Sequence, residues 1–278
     1  MTKACLGNTF DIHGGGPDLP FPHHENEIAQ SEAANGCKFV NYWMHAGAVR
    51  VDGDKMSKSL GNFFTISEVL KSYHPEVVRF LIVSSHYRSA INYSEENLIE
   101  SKSGLDRFYQ TLKNYSDVAA GDELLLAVSQ GSHANVEQQG VMIAFNEQFI
   151  SSMNDDFNTP QALSVMFDML RAVNTAAKVD VALANLLVTQ LKRMSNILGL
   201  LQADPISFLQ WKSTAEGLSA EAIEAYIVER VDAKLAKNYA KADKIRQLLI
   251  DQKVIVEDFP TGTTWRREWA YSAEVWIV

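Results

Sequence analysis

Cysteine is scarce, with two among 278 residues, Cys5 and Cys37. Two thiols cannot build a disulfide framework, so the fold must rest on buried apolar surface, and a reducing cytoplasm is the expected compartment. Long apolar runs are missing too. No stretch approaches the ~20 residues a membrane-crossing helix needs, so no membrane contact is expected, and the opening MTKACLGNTF lacks the form of a signal peptide. Nor is there an excess of basic charge. With 25 Lys and Arg against 34 Asp and Glu, the formal net charge is −9, which argues against a globally basic nucleic-acid binder but leaves room for a local basic face. No internal repeat or low-complexity tract is visible. What remains is an ordinary globular composition, 46% hydrophobic and 21% charged, over a length that suits two or three domains.

The first third mixes short apolar runs with glycine turns. TFDIH reads as a short buried strand entering the turn Gly14–Gly16, and HHENEIAQSEAA as a helix starting near Pro22, because proline suits a first helical turn. FVNYWMHAGAVRV carries β-branched and aromatic residues and reads as one or two strands ending at the turn DGD. Alternating α and β elements at this spacing suggest the later part of an α/β domain. Further on, Val69, Leu70, Tyr73, Val77, Phe80 and Leu81 recur at helical spacing, Pro75 opens a new helix, and Ser94 caps another. GDELLLAVSQGSHANVEQQG reads as a loop-rich insertion. Helices are expected around 141–153, 160–177 and 182–200, with Asp156, Asn158 and Thr159 as caps. LQADPISFLQ reads as a linker. The tail reads as one or two charged helices, a strand VIVEDF and a turn PTGTTW.

Two stretches carry chemistry. The segment His13 to Glu27, HGGGPDLPFPHHENE, holds three glycines, three prolines, three histidines and three acidic side chains in fifteen residues. His23 and Glu27 are four apart and share one helical face, where imidazole and carboxylate can chelate a divalent metal such as zinc. The neighbouring register fails, since Ile28 stands four residues after His24. Two ligands make only half of a four-coordinate site, and a polar i,i+4 contact is the plainer explanation of an isolated pair. The second stretch is DGDKMSKSLGN. Lys55 and Lys58 alternate with Ser57 and Ser59 beside Gly61, a composition suited to polyphosphate oxygens. A solvated loop would explain a generic Lys/Ser pair, but the full string Lys-Met-Ser-Lys-Ser is a signature of class I aminoacyl-tRNA synthetases.

Together, FDIHGGGPDLPFPHHENEIAQSEA, KMSKSLGNFFT, EVVRFLIVSSHYRSAINYSEENL, MNDDFNTPQALSVMFDMLRAVN and IVEDFPTGTTWRR closely resemble cysteinyl-tRNA synthetases, from about Leu6 to Arg267. The resemblance implies an α/β plus all-α architecture. Residues 1–66 would form the second part of a Rossmann-type catalytic domain with the Lys-Met-Ser-Lys-Ser loop, and 67–117 a stem-contact connector. Residues 118–204 would form a DALR-like helical bundle and 205–278 a small anticodon-recognition unit. It implies a cysteine--tRNA ligase that forms cysteinyl-adenylate from cysteine and ATP and passes the cysteinyl group to tRNA-Cys. By the same resemblance, His23 and Glu27 match two of four ligands to a zinc ion that binds the substrate thiolate and rejects serine. Gly16 and Asp18 match an element contacting the adenosine of ATP. Lys58, with Lys55 beside it, matches the phosphate-contacting loop, and His13 belongs to the same motif without an assigned role.

The family's His-Ile-Gly-His signature and its two zinc cysteines would precede residue 1, and neither Cys5 nor Cys37 stands at a family ligand position. The expectation is therefore an N-terminally truncated form, a split-gene product or an expression fragment. It would bind zinc weakly, keep the tRNA-binding side, and need a separate N-terminal half to make adenylate. Open strand edges would follow where upstream strands normally pair. RNA contact is expected from Lys237, Lys241, Lys244 and Arg246 around Tyr239, and from Trp265 beside Arg266 and Arg267. Two other functions fit the same residues: a non-catalytic tRNA-binding or regulatory fragment, and a cysteine ligase of mycothiol biosynthesis, against which the long C-terminal part argues.

Overall fold

A short helix, α1 (Thr2–Leu6), leads into strand β1 (Phe10–Gly15) in the computed structural model, which describes residues 2–55, 65–118, 136–211, 217–259 and 262–268. β1 pairs in parallel with β2 (Val40–His45), in a register that sets Ile12 opposite Tyr42 and His13 opposite Trp43. The connection is one π-type turn at Pro20–His24 followed by α2 (Glu25–Asn35). Pro22 lies in the π-type turn that runs directly into α2, after Phe21, whose backbone is extended. Outside the pair, Ile12 and Tyr42 stand 56% and 69% exposed, so this parallel ribbon is apolar and open on one side.

The run after β2 divides into β3 (Val49–Val51) and β4 (Asp54–Lys55), joined by Asp52 and Gly53. Both turn residues have positive φ, 48° and 88°, the conformation of a two-residue Asp-Gly hairpin. β3 also pairs in parallel with β5 (Ile91–Tyr93). Between them lie α3 (Ile66–Ser72) and α4 (Pro75–Val83). A full capping box at Thr65 and Glu68 starts α3, and the His74 Nδ1 accepts from the Glu76 N–H at the start of α4. Most of the expected apolar positions are core, Val77 fully, whereas Leu70 is 38% exposed.

Ser94 caps α5 (Glu95–Leu112) as expected. Residues 121–135 of the anticipated insertion lie outside the described residues, while Val136–Gly140 begin α6 (Val136–Asn154) instead of a loop. α7 (Thr159–Ala176) is capped by Asn158 and α8 (Val181–Leu198) by Asp180. Asp180 also accepts from Gln138 at 2.7 Å, which ties α6 to the start of α8. Asp156 has a different task from capping. It accepts from Arg88 Nε at 2.5 Å and from the Tyr87 hydroxyl at 2.7 Å, and these bonds hold its carboxyl down at about 2. That contact fastens the loop before β5 to the turn between α6 and α7. One apolar core runs through α3 to α8, with Leu98, Leu105, Met166, Met169, Leu187 and Leu191 fully buried.

The stretch read as a linker contains a helix, α9 (Pro205–Gln210), whose Phe208 is fully buried. Apolar residues at Phe208 and Leu209, and an Asp204 cap, make it part of the core. α10 (Ala220–Leu235) and α11 (Tyr239–Asp251) pack on a hairpin of β6 (Val254–Phe259) and β7 (Gly262–Arg267). GTTW, expected as part of a turn PTGTTW, is therefore in a strand. This unit has its own small core of Ile223, Ile227, Ile245, Leu249, Val254 and Trp265.

Candidate active site at the β1–α2 junction

In a parallel sheet, ligands bind beyond the carboxyl ends of the strands, where the chain leaves for a helix. β1 delivers His13 at that end, β2 delivers Trp43 and His45, and α2 begins just above them with His24 and Glu27. Gly15 allows the approach. A Cβ there would meet the His24 ring at 2.7 Å and the Leu19 side chain at 3.0 Å. His24 is 3% exposed, its Nδ1 lies 3.0 Å from His45 Nε2, and its ring centre is 4.7 Å from that of Trp43. Burial holds its pKa below the ordinary imidazole value, with His13 and His45 pushing the same way and Glu27 opposing. A neutral imidazole at neutral pH follows, the form that ligates metals.

Glu27 is the hub. His13 Nε2 lies 3.1 Å from its Oε2, and His23 Nε2 lies 3.7 Å from its Oε1. The His13 contact lacks hydrogen-bond alignment, so Oε2 is a buried acceptor without a bond. Donor atoms of His13, His24 and Glu27 all fall within 4.8 Å of one another, close enough to serve one cation. The expected pair His23 and Glu27 is thus adjacent, but the His23 side chain is 59% exposed and His13 makes the shorter contact. His24, His45 and Trp43 are additions that the i,i+4 rule could not find. Their signal was the parallel register, which needs the fold.

Gly16 and Asp18 sit in the turn after β1, closed by a bond from Leu19 N to Gly16 O. Asp18 folds back so that its Oδ1 would lie 2.7 Å from a Cβ on Gly16. Lys55 ends β4, though its side chain lies outside what is described, as does the whole of Lys58. The expected RNA-facing residues divide. Tyr239 is 63% exposed on α11, and Lys241 pairs with Glu229 at 2.7 Å. Trp265 is a core residue, 4% exposed, and its indole donates to Glu224. Arg266 Nε donates to Glu257 within the unit, and Arg267 donates to the carbonyls of Gln210 on α9 and Leu218, so Arg267 ties the hairpin to its neighbours.

Residues 1–103 match the family model of the tRNA synthetases class I (C) catalytic domain, and residues 148–202 match the DALR domain. A cysteine--tRNA ligase of Ectopseudomonas mendocina (strain ymp) is 54% identical over 266 residues, covering 96% of this chain and 53% of that protein. Over nearly its whole length the chain is similar to cysteine--tRNA ligases. Another such relative, from Stutzerimonas stutzeri (strain A1501), is 53% identical over 268 residues, again covering 96% of this chain and 53% of the relative. The chain thus spans about half the length of the curated relatives it matches. Among solved structures, Agrobacterium radiobacter K84 agnB2 LeuRS in a ternary complex with tRNA and LeuAMS superposes with a TM-score of 0.54 at 16% identity. It covers 88% of this chain and 30% of that one, which speaks for a class I synthetase fold only. Among the described residues, no helix is long and apolar enough to cross a membrane.

Proposed function

We propose that this chain carries the β1–α2 side of a cysteine--tRNA ligase active site together with the family's tRNA-binding part. In the reaction, the cysteine carboxylate attacks the α-phosphorus of ATP and pyrophosphate leaves. A terminal hydroxyl of tRNA-Cys then attacks the adenylate carbonyl and releases AMP. Lys58 and Lys55 neutralise the charge that develops on the departing pyrophosphate, which is where charge-assisted bonds contribute most. The Gly16–Asp18 turn receives the adenosine. These assignments rest on the match of motifs to the family and on the site lying at the carboxyl ends of β1 and β2.

The side chains fit a zinc ion. Glu27 offers a buried oxygen without a hydrogen bond, and the His13 and His24 rings stand within reach, His24 held toward its neutral form by burial. His23 and Glu27 would hold the metal, with His13 and His24 beside them. Zinc there would bind the substrate thiolate, a soft ligand that the serine hydroxyl cannot imitate. Trp43 packs against the His13 and His24 rings and sets their orientation beside the Glu27 carboxylate.

The convergence of three histidines and Glu27 at the β1–β2 carboxyl ends carries this reading. Cysteine-dependent exchange of pyrophosphate into ATP tests it, run on the chain alone and with a polypeptide matching the other half of its relatives. Filter binding of tRNA-Cys against other tRNAs runs in parallel. Exchange in at least one arrangement and preference for tRNA-Cys are expected. Absence of both refutes it.

A further inference from the structure

Glu76 is a buried carboxylate that the chemistry above does not use. It stands in the first turn of α4, 7% exposed. Its Oε1 accepts the backbone N–H groups of Gln202 at 2.7 Å and Ala203 at 3.0 Å. Its Oε2 accepts Leu201 N–H at 3.1 Å and the Tyr109 hydroxyl at 2.6 Å. The Tyr109 oxygen in turn accepts from Ala203 N–H at 3.2 Å. Three successive N–H groups converging on one anion form a nest, and Leu201 has the positive φ, 57°, that such a bend needs. Here the anion belongs to the protein itself.

The nest lies between α8 and α9, and α9 is the strap to the C-terminal unit. Phe208 of α9 stacks on Tyr109, with ring centres 3.9 Å apart, and meets His74 edge-on at 4.8 Å. At the other end of α9, Gln210 O accepts from Arg267 of β7 at 3.2 Å. A second tie runs from Lys113, after α5, to Glu257 of β6 at 3.0 Å. Among the described residues, the C-terminal unit is tied to α4 and α5 through this buried joint and a partly exposed ion pair.

The geometry points to Glu76 as a positioning residue that sets the angle between the α4–α5 layer and the C-terminal unit, so that two separated surfaces meet one tRNA at once. The tRNA half of this statement rests on the proposed function; the joint itself does not. Two linked binding surfaces gain affinity only when their spacing is held near the span of the ligand.

Glu76→Gln tests it in the full chain, since the amide keeps the shape but turns a donor toward donors. Tyr109→Phe is the milder variant, removing one hydroxyl and keeping the ring on Phe208. Amide exchange should accelerate about a hundredfold at Leu201, Gln202 and Ala203 in Glu76→Gln, and less in Tyr109→Phe, with α7 and α8 unchanged. Affinity for whole tRNA-Cys should fall about tenfold, while binding of an isolated anticodon-arm hairpin stays the same. Unchanged exchange at the three amides overturns the joint, as does equal loss of protection through α7 and α8. Local loosening with unchanged tRNA affinity overturns the positioning role. A wild-type chain that binds no tRNA overturns the functional reading instead, and the exchange data still decide the joint.

Discussion

Asp258 near the end of β6 offers the sharpest test of how the C-terminal unit is held. Its carboxylate accepts both Arg230 guanidinium nitrogens, at 2.9 and 2.8 Å, Lys234 at 2.8 Å and the Thr263 hydroxyl at 3.0 Å. Arg230 is 5% exposed on α10. Asp258→Asn keeps the volume but strands a buried guanidinium without its counter-charge. Removing one partner of a fully buried pair costs about 3–5 kcal/mol. The Asp258 side chain is 44% exposed, so water recovers part of that, and about 2 kcal/mol is expected. For a unit with six core side chains this is a large share of the margin. Urea unfolding followed by amide exchange in β6 and β7 should show a midpoint lower by about 2 M, taking a slope of about 1 kcal/mol per molar. The pH response gives a second readout. Bonds from Arg230 first, then Lys234, hold the Asp258 carboxyl well below the usual carboxylate range. Its stabilisation is therefore complete above the unfolded pKa of about 3.9 and fades as pH falls through that value toward the folded one. The variant should lack this acid-sensitive part. An unchanged midpoint together with an unchanged acid response would refute the reasoning.

Gly15→Ala drives a methyl against the His24 ring and should cost about 1–3 kcal/mol, visible as a lower melting temperature and altered His24 and His45 imidazole resonances. Normal stability with unshifted rings would mean the close packing is not real. Thr65→Ala removes the side-chain arm of the capping box at α3, the Thr65 hydroxyl that accepts from Glu68 N–H, and should destabilise by about 1 kcal/mol in denaturant titration; no change would show the cap is idle. Glu27→Gln should weaken zinc binding by at least ~10-fold in competition with a chromogenic chelator, without loss of helicity, and equal affinity would remove Glu27 from the ligand set.

Much was legible in local chemistry. Helices α5, α7 and α8 followed from apolar spacing, and the first two also from caps at Ser94 and Asn158, because capping is a contact within three residues. The Asp52–Gly53 turn was marked by its own composition, since positive φ at two positions selects those residues. The His23–Glu27 pair was visible for the same reason: four residues apart on a helix means one face. α9 was missed because six residues with one proline look like a linker until Phe208 finds Tyr109, ninety-nine positions earlier. Trp265 and its neighbouring arginines looked like an RNA surface because an aromatic beside basic residues reads the same whether it faces a base or a core.

By itself, then, the sequence determined the periodicities, the caps, the turn residues and the motif strings that carry the family. These depend on neighbours along the chain, where spacing and geometry are one quantity. The tertiary structure alone decided that His13 and His24 meet around Glu27 with His45 behind His24, that Glu76 fills a nest between α8 and α9, and that Arg267 bonds the carbonyls of Gln210 and Leu218. Each of these joins residues far apart in sequence. Strand register and helix packing set their distances, and no local pattern encodes either.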